Sequence, residues 1–176
     1  MKNYLLKFGK ISRKLPIVSL GPNIKVASFN LLGDTEIVKE ISKKLAKEIN
    51  SFEFDYFVGP EVKVVPLLYE LSKLFKKKHY IVCRKEIHAY MQSPIKTLQK
   101  PGLVIDGADA RLIKGKKVIL IDDVVTSGRT LYVTEELMKL AKANVVAKIA
   151  VFKQGNRLHE KQKDLIYLAT LPVFTY

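Results

Sequence analysis

The sequence is short of several things that would each have set its class. One residue in 176 is cysteine, Cys83, which excludes an intrachain disulfide framework and fits a reducing compartment. No apolar run is long enough to span a bilayer, and residues 1–4 carry no signal-peptide pattern. A cytoplasmic protein with no membrane partner is therefore expected. Internal repeats and low-complexity segments are missing. Acidic residues are scarce: 17 Asp and Glu stand against 31 Lys and Arg, a formal net charge of +14. No recognisable nucleic-acid module accompanies that charge, and the only dense basic run is residues 76–78. The charge reads as a solvated surface that also attracts a multiply phosphorylated substrate. A specific nucleic-acid partner is not expected; salt-sensitive, non-specific binding is the most it would support.

What is present is ordinary globular composition, 48% hydrophobic and 27% charged, at a length that fits one domain with a sizeable core. The chain is organised around residues 117–131. Residues 118–121 are a continuous apolar run, too short for a helix and rich in β-branched side chains, as in a parallel strand buried on both faces. Asp122 and Asp123 stand where that strand is expected to end. A loop of small and hydroxylated residues follows, Thr126, Ser127, Gly128, Arg129 and Thr130, and then a helix with Leu131, Leu137, Leu140 and Ala141 at helical spacing.

Ligands of open α/β sheets collect at the carboxyl ends of strands, so chemistry is expected here. N–H groups that open a helix are unpaired and lie at the positive end of its dipole, a place for a phosphate. Gly128 allows close backbone approach, and Thr126, Ser127 and Thr130 offer hydroxyls. Two carboxylates would repel that phosphate; they suit sugar hydroxyls or a Mg²⁺ ion beside it. Phosphate, diol and metal side by side describe a phosphorylated ribose.

Along the rest of the chain, residues 1–14 read as a short basic helix, and 15–30 as a hairpin turning at residues 21–23. Asp34 or Thr35 caps a helix whose inner face is Ile37, Ile41, Leu45 and Ile49. Residues 56–58 form the first core strand, ending in 59–63; residues 64–75 form a helix with Pro66 in its first turn. Residues 79–83 form the next strand, with Cys83 as a small buried hydrophobe at its end, followed by Arg84, Lys85 and Glu86. Residues 86–107 lack periodicity and read as a mobile excursion, with a short strand near 103–106. A buried strand over 145–151 and an apolar edge strand in 164–176 close the chain. Alternation of strand and helix over 55–152 predicts an α/β fold, a mostly parallel twisted sheet flanked by helices, with a small N-terminal hood over 1–34.

The thirteen-residue pattern from Val118 to Thr130 resembles the phosphoribosyl-pyrophosphate (PRPP) signature of type I phosphoribosyltransferases: apolar strand, Asp-Asp, two apolar residues, then a Thr/Ser-Gly-x-Thr loop. Residues 15–18, 26–34, 61–63, 66–71, the Arg84-Lys85 pair and residues 171–174 resemble adenine-phosphoribosyltransferase-like enzymes, so the likeness extends over nearly the whole chain.

The resemblance implies the type I phosphoribosyltransferase fold and transfer of a phosphoribosyl group from PRPP to a purine, adenine first. Under it, Asp122 and Asp123 hold the ribose hydroxyls, directly or through Mg²⁺; Val125, Thr126, Ser127, Gly128, Arg129 and Thr130 cradle the 5′-phosphate. Glu61, Val62 and Lys63 approach the pyrophosphate, in a loop that in this family often contains a non-proline cis peptide. Arg84 and Lys85 neutralise the pyrophosphate; Ser28, Phe29 and Val124 meet the base, with Phe29 stacked on it. Residues 86–107, with His88, Tyr90, Lys96 and Lys100, fold over the reacting centre, and the assembly is a homodimer. The sequence departs from the pattern: the excursion is short, the Ser-x-Glu-Tyr-Gly stretch of the adenine enzymes is missing, and Arg129 replaces a common Gly. A 6-oxopurine enzyme is the alternative. So is a non-catalytic PRPP- or purine-sensing regulator of the same fold, although no helix-turn-helix precedes residue 55.

Overall fold

The computed structural model describes residues 3–155 and 162–175; residues 1–2 of the expected hood and Tyr176 of the expected terminal edge lie outside them. Its centre is β8 (Lys117–Val125), whose residues 118–121 are all fully buried. Their alternate side chains serve two cores. Ile119 and Ile121 pack with α1 (Thr35–Ile49) and α2 (Val65–Leu74), while Val118 and Leu120 pack with α3 (Gly107–Ile113) and α4 (Arg129–Leu140). Burial on both faces is why this strand reads as an unbroken apolar run.

Around β8 lie β4 (Tyr56–Pro60), β5 (Ile81–Cys83), β9 (Asn144–Gln154) and β10 (Ile166–Leu171), in the order β10-β9-β8-β4-β5, every neighbouring pair parallel. The expected parallel α/β core is therefore present. Cys83 is fully buried at the end of β5, and burial pushes its thiol up to about 12, so it is an inert core residue.

Residues 1–14 are not a basic helix. Instead β1 (Asn3–Phe8) and β2 (Ile11–Gly21) pair antiparallel around Gly9, which takes the left-handed conformation (φ 62°). Leu6 and Phe8 point inward while Leu5 and Lys7 face water, the period-two pattern of a half-buried strand. β2 turns into β3 (Ile24–Ala27) as the expected hairpin. The terminal segment supplies two strands rather than one, because Pro172 divides it. β10 is an edge of the parallel sheet, and β11 (Val173–Thr175) pairs with β3, giving a four-stranded hood sheet β1-β2-β3-β11.

Asp34 is the N-cap of α1: its Oδ1 accepts the Ile37 N–H at 3.1 Å. Arg13, on β2, donates Nε to the Asp34 Oδ2 at 2.6 Å, so one carboxylate caps the helix and ties the hood to it. That guanidinium holds the Asp34 carboxyl below the usual carboxylate range. The buried face of α1 is the expected one, Ile37, Ile41, Leu45 and Ile49. In α4 the inner face is Leu131, Val133, Leu137 and Met138; Leu140, expected on it, is half exposed.

The excursion contains a two-stranded ribbon, β6 (Ile95–Lys96) against β7 (Val104–Ile105). A seven-residue helix, α3, then follows at once, capped by Asp106, whose side chain accepts the Ala108 N–H. Among the described residues no helix is long and apolar enough to cross a membrane.

Candidate active site

The acid pair lies inside β8 rather than beyond its end. Asp122 pairs with Ala150 of β9 and the strand runs on to Val125. Both carboxylates are buried, Asp122 at 7% and Asp123 at 8% exposure. Each leans on the next residue: Asp122 Oδ1 accepts the Asp123 N–H at 2.9 Å, and Asp123 Oδ1 accepts the Val124 N–H at 2.8 Å. Asp123 Oδ2 is buried with no hydrogen-bond partner. Burial first, and then the neighbouring Asp123 charge, raise the Asp122 carboxyl well above the ordinary value, while the Lys63 ammonium pulls the other way. An orphaned buried oxygen beside a carboxyl that resists ionisation is an arrangement short of positive charge.

Residues 126–130 follow. Gly128 is the N-cap of α4 in the left-handed conformation (φ 76°), and the Arg129 N–H lies 3.3 Å from the Ser127 hydroxyl. A Cβ on Gly128 would come within 2.8 Å of Gln162 Cγ. Asp122, Val124, Val125, Thr126, Ser127, Gly128, Arg129 and Thr130 line one concavity of about 120 Å³. Asp122 of the acid pair and the open amino end of a helix thus share one small space. A cavity of about 650 Å³ between α1 and α2 shares no residue with it.

Glu61, Val62 and Lys63 leave the carboxyl end of β4, beside β8; the Glu61–Val62 peptide is cis. Arg84 and Lys85 leave the end of β5. The Glu61 carboxylate accepts Arg84 Nη1 at 3.2 Å and the Lys85 N–H at 2.8 Å. Burial works against its charge, but those two donors outweigh it and hold the pKa below the ordinary carboxylate value. Gly59 sets the spacing between this loop and the acid pair. A Cβ there would lie 2.7 Å from the Ile121 carbonyl oxygen.

Phe29 is 4% exposed and meets Phe152 edge-on, with centroids 4.7 Å apart. Phe152 is opposite Val124 in the β8–β9 register, so Phe29 and Val124 flank one ring, while Ser28 is fixed by its N–H to the Pro16 carbonyl. Phe29 is a core residue at the junction of hood and sheet. Three contributors were not singled out in the sequence. Gly59 was signalled by its place before Pro60 at a strand end. Gln154 and Gln162 carried no signal: the first donates Nε2 to the Ala27 carbonyl and ties β9 to the hood, and the second packs behind Gly128.

The central strand of the parallel sheet thus carries the acid pair and opens at its carboxyl end into a small concavity. Residues 30–173 match the family model described as the phosphoribosyl transferase domain, and the chain belongs to that family. A hypoxanthine/guanine phosphoribosyltransferase of Methanothermococcus okinawensis is 25% identical over 141 residues, 77% of this chain and 73% of that protein. An adenine phosphoribosyltransferase of Lachnoclostridium phytofermentans is 27% identical over 124 residues, 66% of this chain and 68% of its own. Among solved structures, adenine phosphoribosyltransferase of Thermoanaerobacter pseudethanolicus superposes with a TM-score of 0.70 at 18% identity, covering 96% of this chain and 95% of that one. The fold is that of the type I phosphoribosyltransferases, and the enzyme class is phosphoribosyltransferase.

Proposed function

We propose that the protein transfers the 5-phosphoribosyl group of PRPP to a purine base, releasing pyrophosphate and a nucleoside monophosphate. The observation that carries this reading is the single concavity in which Asp122 and residues 124–130 meet. Thr126, Ser127 and Thr130, with the N–H groups opening α4, cradle the 5′-phosphate; Asp122 and Asp123 hold the ribose hydroxyls. Lys63, Arg84 and Lys85 receive the pyrophosphate, and the N–H groups of the 61–63 loop orient it.

Mg²⁺ fits the donor set. Asp123 Oδ2 is a buried oxygen without a partner, and no cluster of three ligating side chains occurs among the described residues. Asp122 and Asp123 would hold the ion together with substrate oxygens and water. When bound, it supplies positive charge to the pyrophosphate.

As the bond from the anomeric carbon to the pyrophosphate oxygen breaks, the electron pair leaves with pyrophosphate and positive character develops on the ribose. A purine ring nitrogen attacks the opposite face, and its proton is lost to solvent. The protein adds no covalent chemistry; positioning and electrostatics supply the rate. Excluding water matters, because hydrolysis competes. Residues 86–107 are assigned that role.

Adenine is the base we assign first, on the resemblance of the hood and closing segments. A 6-oxopurine is the second reading, favoured by the relatives named hypoxanthine/guanine phosphoribosyltransferase. A homodimer is the assembly assigned. Competition of adenine, hypoxanthine and guanine for limiting PRPP tests the base. Accumulation of AMP supports adenine; IMP or GMP overturns it in favour of the second reading.

A further inference from the structure

Arg129 faces two ways. Its backbone opens α4 and lines the phosphate-sized concavity, with its N–H 3.3 Å from the Ser127 hydroxyl. Its side chain crosses to the excursion, where Nε donates to the Lys100 carbonyl at 2.7 Å. The guanidinium carbon lies 5.5 Å from the centroid of the Tyr132 ring, one turn along the same helix, which restricts where the fork can point.

The turn it reaches is a closed unit. The Thr97 N–H bonds the Leu103 carbonyl at 2.9 Å, and the Leu103 N–H returns to Thr97 Oγ1 at 2.9 Å. Thr97 and Leu103 are buried, although Leu98 at the tip is 98% exposed. From this turn the chain passes directly into Val104, whose N–H and carbonyl both pair with Arg84 at 2.8 Å. Hydrogen bonds joined by short stretches of backbone therefore connect the phosphate loop, through the 97–103 turn, to the arginine beside Glu61.

We propose that Arg129 is a positioning residue that couples occupancy of the phosphate loop to the placement of the 97–103 turn and, through Val104, of Arg84. The inference rests on the phosphoribosyltransferase reading. A phosphate in the loop accepts the N–H groups at the start of α4 and the Ser127 hydroxyl, and so fixes the first helical turn. Fixing that turn fixes the origin of the Arg129 side chain, and its Nε then holds the Lys100 carbonyl. Lysine cannot substitute, because its ammonium has no donor at the Nε position and no planar fork.

The test is hydrogen exchange of the amides in 97–103 with and without ribose 5-phosphate. The wild type, Arg129→Ala, Arg129→Lys and Lys100→Ala are compared, with folding checked by circular dichroism. Binding of the sugar phosphate is measured separately by calorimetry. In the wild type the ligand should slow exchange in the turn at least tenfold. Compared at ribose 5-phosphate concentrations that saturate each variant by its own calorimetric affinity, Arg129→Lys, which keeps the positive charge, should lose the slowing, and Arg129→Ala should lose it likewise. Lys100→Ala keeps the carbonyl acceptor and should retain it. Full slowing in either Arg129 variant, or its loss in Lys100→Ala, overturns the coupling. Should the wild type bind ribose 5-phosphate without any change in the turn, the coupling falls and the site reading stands. Should it not bind ribose 5-phosphate at all, both fall.

Discussion

Glu61 and Arg84, 23 residues apart in sequence, meet at 3.2 Å across the carboxyl ends of β4 and β5. One carboxylate thereby orients the guanidinium assigned to the pyrophosphate and, through its other oxygen, the backbone of Lys85. The pair is partly open to water, the Arg84 side chain being 38% exposed, so its own contribution to stability is small. Its consequence is in binding.

Arg84→Ala removes a charge-assisted donor, a contribution of about 1.5–3 kcal/mol. Affinity for pyrophosphate should fall roughly tenfold to a hundredfold by calorimetry. The Michaelis constant for the base should stay nearly constant. Unchanged pyrophosphate affinity would remove Arg84 from the site.

The Asp122 carboxyl is raised in the folded state, mainly by burial. Below the ordinary carboxylate pKa both folded and unfolded chains hold the proton, and no penalty arises. As pH rises from there toward the raised folded value, the folded state holds more protons than the unfolded one, so stability is lost. Asp122→Asn should therefore raise the melting temperature at pH 7 in metal-free buffer, and the gain should vanish near pH 3. A gain independent of pH would mean that ionisation of Asp122 is not its cause.

Gly59→Ala forces a Cβ to within 2.7 Å of the Ile121 carbonyl oxygen, a backbone atom that cannot swing aside. Overpacking of this kind costs about 1–3 kcal/mol. Denaturant unfolding should show that loss, with weaker PRPP binding, because β4 and β8 carry the two halves of the site. Wild-type stability would show that the strands separate freely there.

Phe29 is packed against Phe152, so Phe29→Ala should cost about 3–5 kcal/mol of stability, read from thermal or denaturant melts. Phe29→Leu keeps most of the core volume and is the better probe of base contact. It should raise the Michaelis constant for the base more than that for PRPP. Equal or absent effects on both would leave Phe29 a core residue only.

The central strand, its acid pair and its loop were legible because one element carries them in order, and an apolar run buried on both faces leaves few alternatives. The alternation from Tyr56 onward was legible for the same reason. The first strand of the hood was not: Lys7, Lys10, Arg13 and Lys14 mask a period-two pattern in which Leu6, Phe8 and Leu15 are the buried positions of β1 and β2. Pairing of β1 with the adjacent β2, together with the packing of Phe8 on the distant Phe152, overrode local helix preference. Helix α3 is too short to announce itself by periodicity, though Asp106 was a capping signal. Pro172 was the sign that the closing segment divides. The aromatic Phe29 illustrates a different gap. Sequence marks a ring near the site, but only packing shows that it is buried against Phe152.

The most direct test is pyrophosphate release from PRPP and Mg²⁺, with adenine, hypoxanthine, guanine, xanthine, orotate and uracil supplied one at a time. Wild-type protein and the Asp122→Asn/Asp123→Asn double variant are compared. Strong stimulation by one purine is expected in the wild type, abolished in a double variant that keeps its circular dichroism spectrum. Release sustained by the double variant would contradict the assignment of the acid pair. Silence of the wild type with all six bases, despite calorimetric binding of PRPP, would contradict the enzyme reading and leave a PRPP-sensing regulator in its place.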